Sequence, residues 1–345
     1  MTAPETTVNP PVTTASIGGR PEPSAPTPPS NGPSGALTAV SRFGDRIMAT
    51  LATGAGLLVS AAIGLIALFL LLQAVPALLK NTENFFTYTG PWVVSGSDLK
   101  FGIAPQFYAT VLVSVIALAI AMPVALGIAL FVTEYAPRRI AGPVAYIVDL
   151  LAAVPSIVYG LWGILVLGPA MVGPNQWLVD NLGFLPFFAE PSNAANMSTG
   201  GTLLTAGIVL AVMILPVITA VTREVFVQTP RAHREAALAL GATKWEVVRT
   251  AVLPFGFSGY LSGSMLGLGR ALGETMALML IISTVGPINF NLLESGQTFA
   301  TTIANNAAEF DSPVKTGAFI SAGLVLFVLT FIVNAAARSV ITRKS

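Results

Sequence analysis

Six apolar runs fix what this chain can become. They fall at residues 47–79, 107–132, 143–172, 203–221, 255–285 and 318–337, and a helix crosses a bilayer with ~20 mostly apolar residues. In hydrocarbon every backbone N–H and C=O needs an internal partner, so runs of this kind fold as helices. Of the 345 residues 54% are hydrophobic and 10% charged, whereas soluble domains carry about 25% charged residues. Most of the chain therefore has lipid as its solvent, and the expected fold class is an all-α polytopic membrane protein with six transmembrane helices. Several runs exceed the minimum, so tilting or extension beyond the bilayer is expected. Pro76, Pro123, Pro155 and Pro216 lie inside the runs and predict kinks whose freed backbone groups must be satisfied by neighbouring helices.

Residues 1–40 are a different material, rich in Pro, Thr, Ser, Ala and Gly. Such a segment cannot bury enough apolar surface to offset its ordering entropy and reads as a disordered cytoplasmic tail. It lacks the short basic start of a signal peptide. Residues 41–345 then form one six-span domain. Lys and Arg set its orientation. With the N-terminus inside, Arg20, Arg42, Arg46, Arg138, Arg139, Arg223, Arg231, Arg234, Lys244, Arg249, Arg338, Arg343 and Lys344 fall on the inner side, and Lys80, Lys100 and Lys315 on the outer. Both termini are expected in the cytoplasm. Cysteine is absent and His233 is the single histidine, so disulfides, thiolate metal sites and multi-histidine metal sites are excluded.

The inner segment 222–254 has the grammar of two short helices joined at a glycine. Thr229 is the expected N-cap, Pro230 the first helical residue, and Gly241 the left-handed residue past the end. Thr243 and Glu246 have capping-box spacing. The second helix is expected to run to about residue 252, with Pro254 breaking it before the fifth span. Ala236, Ala237 and Leu240 make a shallow face, and Arg231, Arg234 and Glu235 a polar one. Three readings fit: a handle for a soluble partner, an amphipathic helix lying on lipid, or a helix-turn-helix for nucleic acid. The last conflicts with both ends being tethered directly to membrane spans.

Inside the fifth run stand Arg270 and Glu274. Arg270 lies about 22 Å along a helix from residue 255, near mid-membrane, where a charge costs at least ~2.5 kcal/mol. Four residues apart on one helix, the two would share a face and partly neutralise each other. The pair is either a packing device or part of a polar pathway in which the arginine offers a forked donor to an oxyanion. Gly263, Gly267, Gly269 and Gly273 give two small-xxx-small pairs, expected to be close helix contacts. In the third run Pro155 frees a backbone carbonyl beside Ser156 and Tyr159. Asp149 is either a pathway residue or a partner of Arg138 or Arg139.

Glu235-Ala236-Ala237, three residues, Gly241, nine residues, then Ala251-Val-Leu253-Pro254 resembles the EAA loop of ABC-importer permeases, with Ala251 in the place usually held by isoleucine. Asp149, Pro155-Ser156, Tyr159-Gly160-Leu-Trp162-Gly163 and Gly269-Arg270-Ala-Leu-Gly273-Glu274-Thr275 resemble PstC-type permeases of the phosphate-specific importers over about residues 40–345. The resemblance implies a MetI-like, type I permease fold with a cytoplasmic coupling helix, placed in the cytoplasmic (inner) membrane of a prokaryote. It implies that Glu235, Ala236, Ala237, Gly241 and Pro254 serve coupling to an ATPase, and that Arg270, Glu274, Asp149, Ser156 and Tyr159 border the substrate pathway. The implied partners are a PstA-like permease forming a heterodimer, a PstB-like ATPase dimer, a PstS-like phosphate-binding protein, inorganic phosphate and membrane lipid. No Gly-Lys pair, and so no phosphate loop, occurs in the chain. Hence it is expected to be no enzyme and to bind no cofactor, ATP and Mg residing on the ATPase. The rival expectations are a permease for another oxyanion such as sulfate or molybdate, a secondary anion transporter, or a phosphate sensor.

Overall fold

The computed structural model describes residues 43–94, 99–282, 288 and 290–344. The tail 1–40, with Arg20, and the last residues of the fifth run, to Val285, fall outside them. Helix accounts for 79% of the structure, and the strand-like pairing among the described residues is two isolated bridges, Asn81 with Leu99 and Val93 with Lys100. The α-helices are α1 (Phe43–Lys80), α2 (Ala104–Leu130), α3 (Arg138–Ala152), α4 (Ser156–Trp162), α5 (Gly168–Leu182), α6 (Ala194–Thr199), α7 (Leu203–Val227), α8 (Arg231–Ala239), α9 (Lys244–Val247), α10 (Leu253–Leu272), α11 (Met276–Ile281), α12 (Phe299–Asn305) and α13 (Pro313–Lys344). By compactness the chain divides between Leu58 and Val59. In the first unit the described residues are the exposed start of α1, with Met48, Leu51 and Leu57 bare, as suits a helix face in lipid. All packing described below lies in the second unit.

Among the described residues six stretches are long and apolar enough to cross a membrane: Gly44–Lys80, Ala104–Tyr135, Ser156–Leu182, Ala195–Val227, Lys244–Leu272 and Pro313–Ser339. They correspond to the six apolar runs, but two runs are built differently from expectation. The third run is not one helix. Pro155 has no N–H and disfavours helical geometry at the residue before it, so α3 ends at Ala152 and the crossing begins afresh at Ser156. From there α4 passes through a π-helical turn, Gly163–Leu167, into α5. Pro76, Pro123 and Pro216, by contrast, lie inside helices that continue past them.

The fifth span differs at both ends. Pro254 does not break the chain, because Val248–Val252 forms a π-helical turn that joins α9 to α10. A widened turn redistributes the bonds next to the missing proline N–H, and Pro254 then stands at the start of α10, where no donor is required. At the other end α10 stops at Leu272, and Gly273, Glu274 and Thr275 separate it from α11.

The centre is the pairing of α2 with α7. Ala109, Val113, Ala117, Ala121, Ala125 and Ala129 recur every fourth residue, none more than 2% exposed. The first five share one buried cluster with Leu210, Ile214 and Ile218 of α7. Lipid gives helices no hydrophobic drive to associate, so small side chains that admit close backbone approach carry the packing. On the other side of α7, a Cβ at Gly263 would stand 3.0 Å from Val221 Cβ and one at Gly267 2.9 Å from Ile218 Cγ1. That pair is a helix contact, as expected from spacing. Gly269 faces open space and Gly273 lies past the end of the helix, so the second pair is not.

Residues 81–94 and 99–103 carry aromatic anchors that tie the end of α1 to the start of α13. Trp92 stacks on Phe319 with ring centroids 5.3 Å apart, and its indole donates to the Gly102 carbonyl at 2.8 Å.

A broken span and a capped loop as candidate functional sites

The break between α10 and α11 places charge inside the span. Arg270 occupies the last turn of α10, and Glu274, 8% exposed, precedes α11. Each side chain is therefore favoured by the partial charge at its own helix end, cation at a C-terminus and carboxylate at an N-terminus. The i,i+4 pairing expected of them does not form. Among the described residues no ion pair joins Arg270 to Glu274, because the helix that would align them has ended. Glu274 Oε1 instead accepts from the backbone N–H of Ala277 at 3.0 Å. Irregular backbone at membrane depth is tolerated where it is buried in protein or lines a polar cavity, and broken helices of this kind form the ion and substrate sites of many transporters.

The third span faces that break. Tyr159 is buried on α4, which packs against α11. Its phenol donates at 2.8 Å to the carbonyl of Leu151, four residues before Pro155 and therefore the acceptor that proline leaves without its helical partner. Ser156 is the first residue of α4 and half-buried. Tyr159→Phe is expected to cost about 1 kcal/mol, the net worth of one such hydrogen bond, seen as an earlier unfolding midpoint of the purified protein. An unchanged midpoint contradicts the bridge.

Next to it, a Cβ on Gly160 would stand 2.7 Å from the Ala277 Cα and 3.0 Å from the Ala277 carbonyl oxygen. Both neighbours are backbone and cannot rotate away. Gly160→Ala should push α11 off α4 at a cost of about 1–3 kcal/mol, the usual range for overpacking. A variant with wild-type unfolding behaviour would contradict this contact.

Asp149 was expected to be a pathway residue or to pair with Arg138 or Arg139; the Arg138 side chain lies outside the described ones, and among those described no ion pair joins Asp149 to Arg139. Its carboxylate takes Arg223 of α7, with Nη2 3.2 Å from Oδ2 and 3.3 Å from Oδ1. The pair joins α3 to the C-terminal end of α7.

The second locus is the loop between α7 and α10. Gly241 has φ +83°, the left-handed geometry expected after a helix. The Gly241 N–H bonds the Leu238 carbonyl at 2.9 Å and the Ala242 N–H bonds that of Ala237 at 3.1 Å, which together make a Schellman cap. The capping box is present: Glu246 N–H bonds Thr243 Oγ1 at 3.4 Å, and Thr243 N–H bonds Glu246 Oε2 at 2.7 Å. The other end differs from expectation by one residue. Pro230, not Thr229, is the N-cap of α8, and the Thr229 side chain is buried without capping the helix. Proline's fixed φ suits the entry, so no side-chain cap is needed to set it. No residue of α8 is buried; Glu235 and Ala236 are exposed and Ala237 half-exposed. A short helix with no buried residue, locked at its far end by a backbone turn, is a surface that a second protein can hold.

Residues 121–345 match the family described as binding-protein-dependent transport system inner membrane components. The chain belongs to this family. Among its relatives, the phosphate transport system permease protein PstC 2 of Mycobacterium tuberculosis is 53% identical over 87% of this chain and 92% of the relative. The phosphate transport system permease protein PstC of Mycobacterium leprae is 51% identical over 79% and 86%, and that of Mesorhizobium japonicum is 39% identical over 71% and 74%. The structure is also similar to that of the inward-facing MetNI methionine ABC transporter, with TM-score 0.52 and 14% identity over 70% of this chain and 95% of the other. That likeness shows the fold: a type I importer permease, a multi-pass membrane protein.

Proposed function

We propose that this chain is the transmembrane permease subunit of an ATP-driven importer of inorganic phosphate, sharing the path with a PstA-like permease. Two features of one chain support the reading together: an exposed, glycine-capped helix on the loop before the fifth span, and an arginine at the break where that span ends. The names of its relatives supply the cargo. A PstB-like ATPase dimer holds α8 and hydrolyses ATP with Mg, a PstS-like protein delivers phosphate on the opposite face, and this chain makes and breaks no covalent bond. The distribution of Lys and Arg supports cytoplasmic termini and an inner-membrane location with the loop inside.

The physical link between the two features is a helix. From Lys244 to Leu272 the chain is one helical stretch of 29 residues, about 43 Å at 1.5 Å per residue. A displacement applied to the loop at the Gly241 turn is carried along that stretch to Arg270. The guanidinium presents a fixed fork of N–H donors that matches two oxygens of a tetrahedral oxyanion. Glu274 holds the start of α11, which keeps the break open in one geometry.

The cargo assignment is tested by competition. Labelled phosphate uptake by the assembled complex should fall with arsenate, which has the same shape and protonation, and persist with sulfate. Sulfate competing as well as arsenate would overturn the phosphate assignment in favour of a broader oxyanion permease.

A further inference from the structure

One side chain fastens the docking helix to two spans at once. Arg234, in the middle of α8, donates from Nη2 to the carbonyl of Phe226 at 2.8 Å, in the last turn of α7. The same nitrogen stands 3.0 Å from Oε1 of Glu134. Glu134 belongs to the π-helical turn Phe131–Tyr135 that ends the second span. Both partners are largely withdrawn from solvent, with Arg234 26% and Glu134 14% exposed. Screening is therefore weak and the attraction is stronger than for a surface pair.

The surroundings make this contact mechanical. Beneath it the ends of α2 and α7 and the π-helical turn after α9 pack through Ala129, Leu130, Phe226, Val248 and Val252, a cluster that contains no residue of α8. The apolar packing thus joins the spans to one another, while α8 lies against that π-helical turn and is tied to the ends of α2 and α7 by Arg234. The contact is also incompletely saturated. The buried Nε of Arg234 has no hydrogen-bond partner, and Glu134 Oε1 meets the distance of an ion pair without hydrogen-bond alignment.

We propose that Arg234 is a positioning residue that transmits movement of α8 to the second and fourth spans, with Glu134 and the Phe226 carbonyl as its two anchor points. The role rests on the importer reading above, because α8 moves only if a partner drives it. Motion would then reach the core pairing of α2 and α7 by this route and the fifth span along its own helix.

The test uses the complex reconstituted with its ATPase, second permease and binding protein. Arg234→Met removes both anchors, and Glu134→Gln removes the charge at one while leaving the Phe226 bond. ATPase co-purification should be unchanged in both. Phosphate imported per ATP hydrolysed should fall at least tenfold in Arg234→Met and by less in Glu134→Gln. Wild-type stoichiometry in both variants, or loss of the ATPase from either, would overturn the role. If Arg234→Met fails to accumulate, Glu134→Gln decides.

A second readout does not depend on the cargo. The chain has no cysteine, so spin labels can be placed through His233→Cys on α8 and Phe107→Cys near the outer end of α2, both at exposed positions. A working link keeps that distance the same with and without ATP and lets it change with nucleotide in Arg234→Met. A wild-type distance that changes as much as the variant's would overturn the link. A constant wild-type distance in a complex that imports no phosphate would leave the link standing and refute the phosphate reading.

Discussion

Replacing Arg270 with glutamine is expected to reduce phosphate uptake on the order of 10- to 100-fold while the protein inserts and assembles normally. Hydrogen bonds to a charged group contribute about 1.5–3 kcal/mol each, and every 1.4 kcal/mol is about tenfold in an equilibrium or rate. Glutamine keeps a donor but loses the charge and the fork. Insertion should not suffer, because a charge in the span costs at least ~2.5 kcal/mol and the variant removes it. The structure sharpens the prediction. No carboxylate among the described residues stands in ion-pair distance of Arg270, and Glu274 is engaged with the Ala277 N–H. Removing the arginine therefore strands no buried partner, and an uptake defect would report on the path. Arg270→Lys should fall between wild type and Arg270→Gln, since an ammonium attracts an anion without the planar fork. Wild-type uptake by Arg270→Gln would remove the residue from the path.

Gly241→Val should detach the ATPase. At φ +83° a side chain costs roughly 1–2 kcal/mol, and a β-branched one is a genuine outlier. A Cβ there would meet nothing within 4 Å, so the penalty is wholly in the backbone and cannot be relieved by repacking. Relaxation must come from the turn itself, which breaks the bonds to Leu238 and Ala237 and re-aims α8 against α9. The expected outcome is ATPase co-purification reduced at least several-fold, with Gly241→Asn close to wild type because asparagine tolerates the left-handed region. Equal co-purification of Val and Asn variants would contradict a docking role for this turn.

The six spans were legible because a membrane imposes length and apolarity before any packing is considered. Gly241 and the Thr243–Glu246 box were legible for a similar reason: both are local, and a few adjacent residues determine them. The misses at Pro155, Pro254 and Asp149 are cases where tertiary context decides. Pro155 and Pro254 look alike in sequence, yet one ends a helix and the other begins one after a π-helical turn, as nothing within a few residues dictates. The Arg270–Glu274 pairing assumed a helix continuing through Gly273. A glycine followed by two polar residues was the signal that it stops. Asp149 and Arg223, 74 residues apart, could be joined only by folding. The link from Glu134 to Arg234 is of the same kind. The four-residue spacing of Ala109, Val113, Ala117, Ala121, Ala125 and Ala129 lies in the sequence, and each of the six is buried.

The most direct measurement counts labelled phosphate inside sealed vesicles that contain this chain, the second permease, the ATPase and the binding protein, with ATP supplied or withheld at the loop side. The account predicts accumulation against a gradient with ATP and none without it. Accumulation that proceeds equally without ATP would contradict it.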